Sequence, residues 1–417
     1  MAAVANGSSS TGPAPTAPAE AQDPGSYPLA AQIPLKSFQL PEFPQQASRL
    51  RELTLTADIK LDEYQYMVQT PKDAIITQPP LDELPQSITH LTFELFGLGF
   101  PGTPPFLTRI ARSLPNIRSV TFFSCLIDGL DDHSRRDAEK FFELLPNLKE
   151  LHIIDSFARP GFFTTVGSLL EKHAKEDPAE GFKLVDVSYT FRGHEDSDFL
   201  ARVQGEDLSS LIVKGMVGAS FDFVPQRQDD LQEGEADEDG KDKPLGKLNE
   251  GVLPFACDGR APTATRKRFE TLSHAGQLKS LKVLNLGMWS LRPDEVGQVV
   301  YACAGGARPG LADLTVSVLL EDGWVEKLAK GLDQSGVAAE LESVEIIGVP
   351  DRVAAPEGAA AAADDWKAGL SVVTREDVEK IAAGAPKLAK VGMSILKVKT
   401  APNVLFYNVD GEGWKER

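Results

Sequence analysis

The chain has 417 residues, 42% hydrophobic and 25% charged, a globular composition with ample material for one large core or an extended array of small ones. No apolar run approaches the roughly 18 to 20 residues that a membrane helix needs. A formal net charge of −18 disfavours direct nucleic-acid binding, because phosphate recognition normally shows itself as a basic stripe, and favours partners with basic surfaces.

Residues 1–45 are rich in Pro, Ala, Gly and Ser and bury too little apolar surface to offset the entropy of ordering, so they are expected to form a disordered tail. No basic residue precedes Lys36, which argues against a secretory or mitochondrial leader and points to cytoplasm or nucleus. Cys125, Cys257 and Cys303 are far apart and odd in number, as suits a reducing compartment better than a disulfide framework or a Cys-rich zinc site.

From Leu50 a six-residue pattern returns, apolar at its first, fourth and sixth positions. It reads LRELTL from Leu50, ITHLTF from Ile88, IRSVTF from Ile117, LKELHI from Leu148 and FKLVDV from Phe182. It continues as LSSLIV from Leu208, LKVLNL from Leu281, LADLTV from Leu311, LESVEI from Leu341 and LAKVGM from Leu388, with all thirty framework positions apolar. The start-to-start intervals are 38, 29, 31, 34, 26, 73, 30, 30 and 47 residues, so most cluster near 30, a period that marks a solenoid. Between blocks, DDHSRRDAEKFFELLPN, PGFFTTVGSLLEKHAKEDPAEG, RPDEVGQVVYACAGG, GWVEKLAKGLDQSG and TREDVEKIAAGAPK place apolar residues at helical spacing and end on helix-stop residues.

The expected organisation follows. Residues 46–224 hold the first half of the repeats and 269–400 the second. Residues 225–268 are expected to be a disordered acidic insertion; its DDLQEGEADEDGKD holds eight acids against one lysine, and the basic run at Arg266 to Arg268 is positioned to fold back on it. Residues 401–417 read as a capping element with a strand through Val404 to Val409, in which Tyr407 and Trp414 either cover the last repeat or mark a docking surface.

These blocks resemble leucine-rich repeat proteins, of the irregular type of roughly 30 residues with a helix in each repeat, as in ribonuclease inhibitors and F-box-associated repeat domains. LPNIRSV and LPNLKEL look much like fungal F-box-type repeat proteins. The resemblance implies an α/β solenoid of about ten irregular strand-helix repeats, with a curved parallel sheet and helices on its convex side. It further implies a scaffold or adaptor with neither enzymatic activity nor cofactor. At the ninth position, where the family places Asn or Cys to satisfy turn backbone, Cys125 fits and Ser156 can substitute, whereas Phe96, Met216, Trp289 and Val349 do not. QIPLKSFQLPEFP is too short and proline-rich for an F-box, so a ubiquitin-ligase substrate-receptor role would need another docking element. The alternative is a GTPase regulator resembling Ran GTPase-activating proteins, whose acidic run follows the repeats whereas this one interrupts them.

Three motifs invite other chemistry. Gly97, Gly99 and Gly102 have dinucleotide-loop spacing, but the same strand-turn-helix unit recurs without glycines, so a plain strand-to-helix turn is the expectation. Asp131 to His133 and His194 to Asp196 offer metal-ligand types, yet adjacent residues point apart and Asp is favoured at helix caps. Cys125 and His152 could pair as nucleophile and base, but Cys125 is already explained as a turn residue and His152 as an outward strand residue.

Alternation places the third, fifth and seventh residues of each block away from the core. In the first half these include Glu52, His90, Glu94, Thr121, Phe123, Glu150, His152, Ile154 and Asp186, the candidate binding residues. Later blocks add Ser210, Ile212, Lys214, Asp313, Glu345 and Lys390, for six acids and two lysines among thirty such positions. The functional reading is an acidic, Thr/Ser-rich face with Phe123 and Ile154 as an apolar anchor for a basic protein partner; the plainer reading is a solvated sheet face.

Overall fold

A strand with apolar residues at alternate positions leaves one side that only its neighbours can cover. The computed structural model describes residues 30–34, 49–56, 84–94, 105–176, 181–191, 205–225, 261–304, 310–335, 338–350, 372–395, 403–408 and 412–417. Thirteen strands form one sheet in chain order: β1 (Ala30–Pro34), β2 (Glu52–Thr56), β3 (His90–Glu94), β4 (Ser119–Phe123), β5 (Glu150–Ile154), β6 (Leu184–Phe191), β7 (Gly218–Pro225), β8 (Val283–Leu291), β9 (Asp313–Leu320), β10 (Ser343–Pro350), β11 (Lys390–Ile395), β12 (Val404–Asn408) and β13 (Trp414–Glu416). Every pairing from β1 to β11 is parallel, whereas β12 and β13 add as antiparallel strands.

The described helices are α1 (Phe106–Ser113), α2 (Asp132–Glu143), α3 (Phe162–Glu176), α4 (Gly205–Ser209), α5 (Ala261–His274), α6 (Pro293–Ala304), α7 (Trp324–Ser335) and α8 (Arg375–Ala382). Because strand order equals chain order, right-handed crossovers step in one direction and put the helices on one side of the sheet. Helices pack 8–10 Å apart and strands about 4.8 Å, so the sheet takes the inside of the curve. No described helix is long and apolar enough to cross a membrane.

All thirty framework positions are buried, none more than 4% exposed. Aromatic rings run from repeat to repeat through this interior: Phe93 stacks on Phe122 at 5.3 Å, and Phe141 and Phe142 of α2 continue the line to Phe162 of α3. The asparagines of Leu-Pro-Asn stitch neighbouring repeats, Asn116 donating to the Gln86 carbonyl at 2.9 Å. After β4 and β5, Ser124 and Asp155 take positive φ (53° and 47°), and the next residue turns inward. Cys125 donates through Sγ to the Phe93 and Phe123 carbonyls, and Ser156 Oγ accepts the Cys125 amide at 2.9 Å, so both ninth-position residues serve the turn as expected.

Four expectations are corrected. The block LSSLIV is not a strand: Leu208 lies in α4, and Leu211 to Val213 are buried in the turn behind it. The strand is β7, whose frame MVGASF starts at Met216 and supplies the buried Met216, Ala219 and Phe221. Within the supposed tail, residues 30–34 form β1, whose backbone pairs in parallel with β2. The supposed insertion stops earlier than residue 268, because α5 begins at Ala261. Arg266 faces Glu270 and Glu295, and Arg268 pairs with Glu171 of α3 and donates to the Ile212 carbonyl. Lastly, Trp414 is 5% exposed, so it cannot be a docking side chain; with Val404 and Phe406 it covers the apolar end of the last repeat. Residues 1–29, the glycine triplet at 97–102, the HED run at 194–196 and the acidic run at 229–242 lie outside the described residues.

The irregularity at the eighth strand has a packing cause. The β8–β9 register shifts between Leu286 and Ser290, and the extra residues carry Trp289 into the interior against Phe221, ring centroids 5.0 Å apart.

Two helices are capped from the next helix along the chain. Pro105 gives α1 no side-chain cap, and instead the buried Asp137 of α2 accepts from the Leu107 amide (2.9 Å), the Thr108 amide (2.9 Å) and Thr108 Oγ1 (2.6 Å). In the same way Asp207 of α4 accepts from the Gly161 and Thr164 amides at the start of α3 (2.9 and 2.7 Å). Orphan helix-start amides are thereby satisfied, and the negative charge lies at the favourable end of the helix dipole. Farther along, α6 and α7 approach so closely that a Cβ at Gly297 would fall 2.5 Å from the Gly331 Cα.

Asp137→Ala is expected to lower stability by about 2–3 kcal/mol, because it leaves buried donors unmet, as urea unfolding will measure. Gly297→Ala is expected to destabilise the same transition even though alanine is the better helix former by about 1 kcal/mol, since α6 and α7 must separate to admit the methyl group.

Candidate functional site

Side chains at alternate strand positions form three rows across the inner face, fixed by the register. The first runs Glu52, His90, Ser119, Glu150, Leu184, Gly218, Val283, Asp313, Ser343, Lys390. The middle row is polar through Thr54, Thr92, Thr121, His152, Asp186, Ser220, Asn285, Thr315 and Glu345 until Gly392. The third row begins Thr56, Glu94, Phe123, Ile154, Ser188, Asp222.

The nine candidate residues fall on this one face. Glu52 and His90 are exposed register partners on β2 and β3, with His90 Nδ1 2.9 Å from Thr89 Oγ1. Glu94 is half-buried and accepts from Thr56 Oγ1 at 2.9 Å, next in register to Phe123. Phe123, 37% exposed, and the half-buried Ile154 are register partners, so the proposed anchor pair is adjacent. Thr121, His152 and Asp186 are consecutive in the middle row, and Glu150 lies beside His152 on β5.

His152 is the charge centre of the first half. Its Nδ1 lies 3.6 Å from Asp186 Oδ2 and its Nε2 3.8 Å from Glu150 Oε2. The Asp186 contact raises the imidazole above its ordinary value, against the opposing effect of burial, and Glu150 adds to the rise. The same contact lowers Asp186, assisted by Ser220 and opposed by burial. Two carboxylates in the second half behave oppositely. Burial raises Asp222, with Asp186 adding repulsion and Asn285 giving partial relief, and burial raises Glu345, with Lys390 partly compensating. Asp222 lies over Gly287 and Glu345 over Gly392, positions where a Cβ would collide with the carboxylates.

Sequence reasoning misplaced one strand of this face. Ser210 and Lys214 lie in the turns after α4, and Ile212 is fully buried, so none of the three belongs to the rows. Ser220 and Asp222 of β7 replace them. The signal was present in MVGASF, which carries the apolar frame with small Ala219 at its fourth place.

The other candidate chemistry resolves locally. Asp131 caps α2 by accepting the Ser134 amide at 2.7 Å, as expected for a helix start. Cys125 is 2% exposed and engaged in its turn, while His152 lies on the inner face with its carboxylate neighbours. Among the described residues, no group of three or more His, Cys, Asp or Glu is placed to hold a metal ion.

No family model and no curated protein matches the chain. Solved structures that it matches include an internalin (inlF) from Listeria monocytogenes, at 10% identity and TM-score 0.31 over 74% of this chain and 65% of that one. The TLR13–ssRNA13 complex matches at 12% identity and TM-score 0.28, over 87% of this chain and 44% of that one. The Toll–Spatzle complex of Drosophila matches at 10% identity and TM-score 0.25, over 89% and 48%. The chain spans less than two thirds of the length of each. These likenesses are distant, and the fold rests on the strand order and register above.

The titration of His152 follows from its neighbours. A folded pKa above the unfolded value of about 6.5 gives a stabilising contribution that is complete below that pH and is lost as pH rises through the folded value. Proton NMR of the imidazole is expected to place its pKa above about 6.5 in the native chain and clearly lower in Asp186→Asn, which removes the principal anion. An unchanged titration in that variant would contradict the assigned contact.

Proposed function

We propose that the chain is a non-enzymatic protein-interaction scaffold whose inner sheet face takes a partner with a basic surface. The observation that carries this reading is the charge on that face. Glu52, Glu94, Glu150, Asp186, Asp222, Asp313 and Glu345 stand against Lys390 as its one lysine among the described residues. The helices instead mix their charges, as in the pairs Arg135–Glu139, Lys140–Glu143 and Arg375–Glu379.

Asp222 and Glu345 are held where burial already disfavours their ionised form. A lysine or arginine arriving there supplies the missing counter-charge, and a field of one sign steers its approach. Phe123 and Ile154 offer an apolar contact beside the acidic row, the combination of anchor and charged surround found in interaction surfaces.

The finer reading is an adaptor that holds a client on the solenoid for a larger assembly, of the kind formed by F-box-associated repeat receptors. The Leu-Pro-Asn junctions and the irregular repeat length support it; attachment to a ligase would use an element other than the rows described.

Affinity purification from the native cells at moderate salt, followed by mass spectrometry, tests the proposal when wild type is run beside a Glu150→Lys, Asp186→Lys, Asp222→Lys variant. A stoichiometric partner held by the wild type is expected to be lost from the variant with the solenoid's circular dichroism unchanged. Its retention would remove the inner face as the binding site.

A further inference from the structure

A second ladder runs along the sheet edge where the strands begin. The second residue of each block donates its amide to the carbonyl of the second residue one repeat earlier. Arg118 bonds Thr89, Lys149 bonds Arg118, Lys183 bonds Lys149, Val217 bonds Lys183 and Lys282 bonds Val217, all between 2.7 and 2.8 Å. These residues are therefore stacked one strand spacing apart, about 4.8 Å. Arg51, at the same place before β2, begins the series, and no acid occupies it as far as β8. A chain with net charge −18 thus carries a basic line on one edge.

The line is interrupted at β7 by an apolar tract. Val217 and Val283 are each 41% exposed, two of the three large hydrophobic side chains exposed to this degree among the described residues. They are adjacent, since the Val217 carbonyl accepts the amides of Lys282 and Val283. The half-buried Leu184 extends the tract, its side chain lying over Gly218. Lys149 and Lys183 flank the tract on one side, Lys282 and the exposed Lys279 on the other. Among the described residues, Lys279 and Lys282 make no ion pair within 4.0 Å.

We propose that this edge is a second docking surface, for a protein segment in which Asp and Glu residues flank a single aliphatic side chain. The aliphatic group sits on Val217 and Val283, and carboxylates on either side meet Lys183 and Lys282. Charge complementarity selects the acidic flanks, and the exposed valines select the apolar centre. A nucleic-acid strand fits less well. The tract offers no aromatic ring for base stacking, and Glu150 and Asp313, which bracket it in the first row, leave room for separate carboxylates at Lys183 and Lys282 but not for an unbroken line of phosphates. The surface borders the acidic inner face, sharing Leu184 and Val283 with its first row, and has the opposite charge preference.

Fluorescence anisotropy with the full chain tests this, using a labelled peptide Glu-Asp-Glu-Glu-Leu-Glu-Asp-Glu-Asp, its Leu-to-Ser counterpart and a twelve-nucleotide oligothymidine. The leucine peptide is expected to bind, to weaken about tenfold or more in Lys183→Glu/Lys282→Glu, and to be unaffected by Lys172→Glu on the convex helix α3. Val217→Ser/Val283→Ser is expected to cost about three- to fivefold, as is the serine peptide on the native chain. Thermal unfolding of each variant reports that the fold is retained, which the exposure of Val217, Lys282 and Val283 favours and which is checked above all for the half-buried Lys183. Equal binding of the leucine and serine peptides, or no binding of either, overturns the proposal. So does oligothymidine binding as tightly as the peptide with no response to the valine changes, which would make the edge a phosphate-binding line.

Discussion

A single strand-helix unit of this chain has no interior of its own. The framework side chains of each block are buried only because the blocks before and after it close over them, and the same neighbours supply the hydrogen bonds of its strand. Stability in such an array is a sum of small units and the interfaces between them, so every interface must be kept and both ends must be finished. At the C-terminal end that finish is a change of direction: β12 and β13 turn antiparallel and lay Phe406 and Trp414 over the last repeat.

Locking the first, fourth and sixth positions into the interior leaves the others free to carry charge, and the register turns each free position into a row. The third, fifth and seventh positions become the acidic inner face, and the second becomes the basic edge. A strand spacing of about 4.8 Å brings like charges close along each row, which is why the inner face needs devices to hold them. His152 between Glu150 and Asp186 is one such device, and the glycines beneath Asp222 and Glu345 are another. Net charge, being a sum, conceals this segregation.

The solenoid was legible because its period is written in residues that must be buried, and most helix limits followed from their stop signals. The error at Leu208 has a physical cause: Leu208 and Leu211 are three apart at the close of a helix, and a one-turn spacing coincides there with the strand template. The strand at Gly218 was hidden by Ala219, too small to advertise a core position. Strand β1 was hidden by composition, since its order comes from pairing with β2 and leaves no mark on AAQIP. Alternation placed the nine inner-face residues correctly, and Asp222 was missed with its strand. The basic edge was equally present in the sequence, but only the backbone ladder shows that residues as far apart as Lys183 and Lys282 flank one tract.

The caps from Asp137 and Asp207 give the array a polarity. Helix α1 cannot complete its first turn until the chain has continued through α2, and α3 waits in the same way for α4. A ribosome delivers these segments in order, so the repeats that carry α1 and α3 leave the exit tunnel with their helix starts uncapped and gain the acceptor from the repeat that follows, whereas α2 brings its own cap in Asp131. Completion of those two helix starts therefore lags synthesis by one unit, and a chain released before α2 or before α4 leaves the preceding helix without its acceptor.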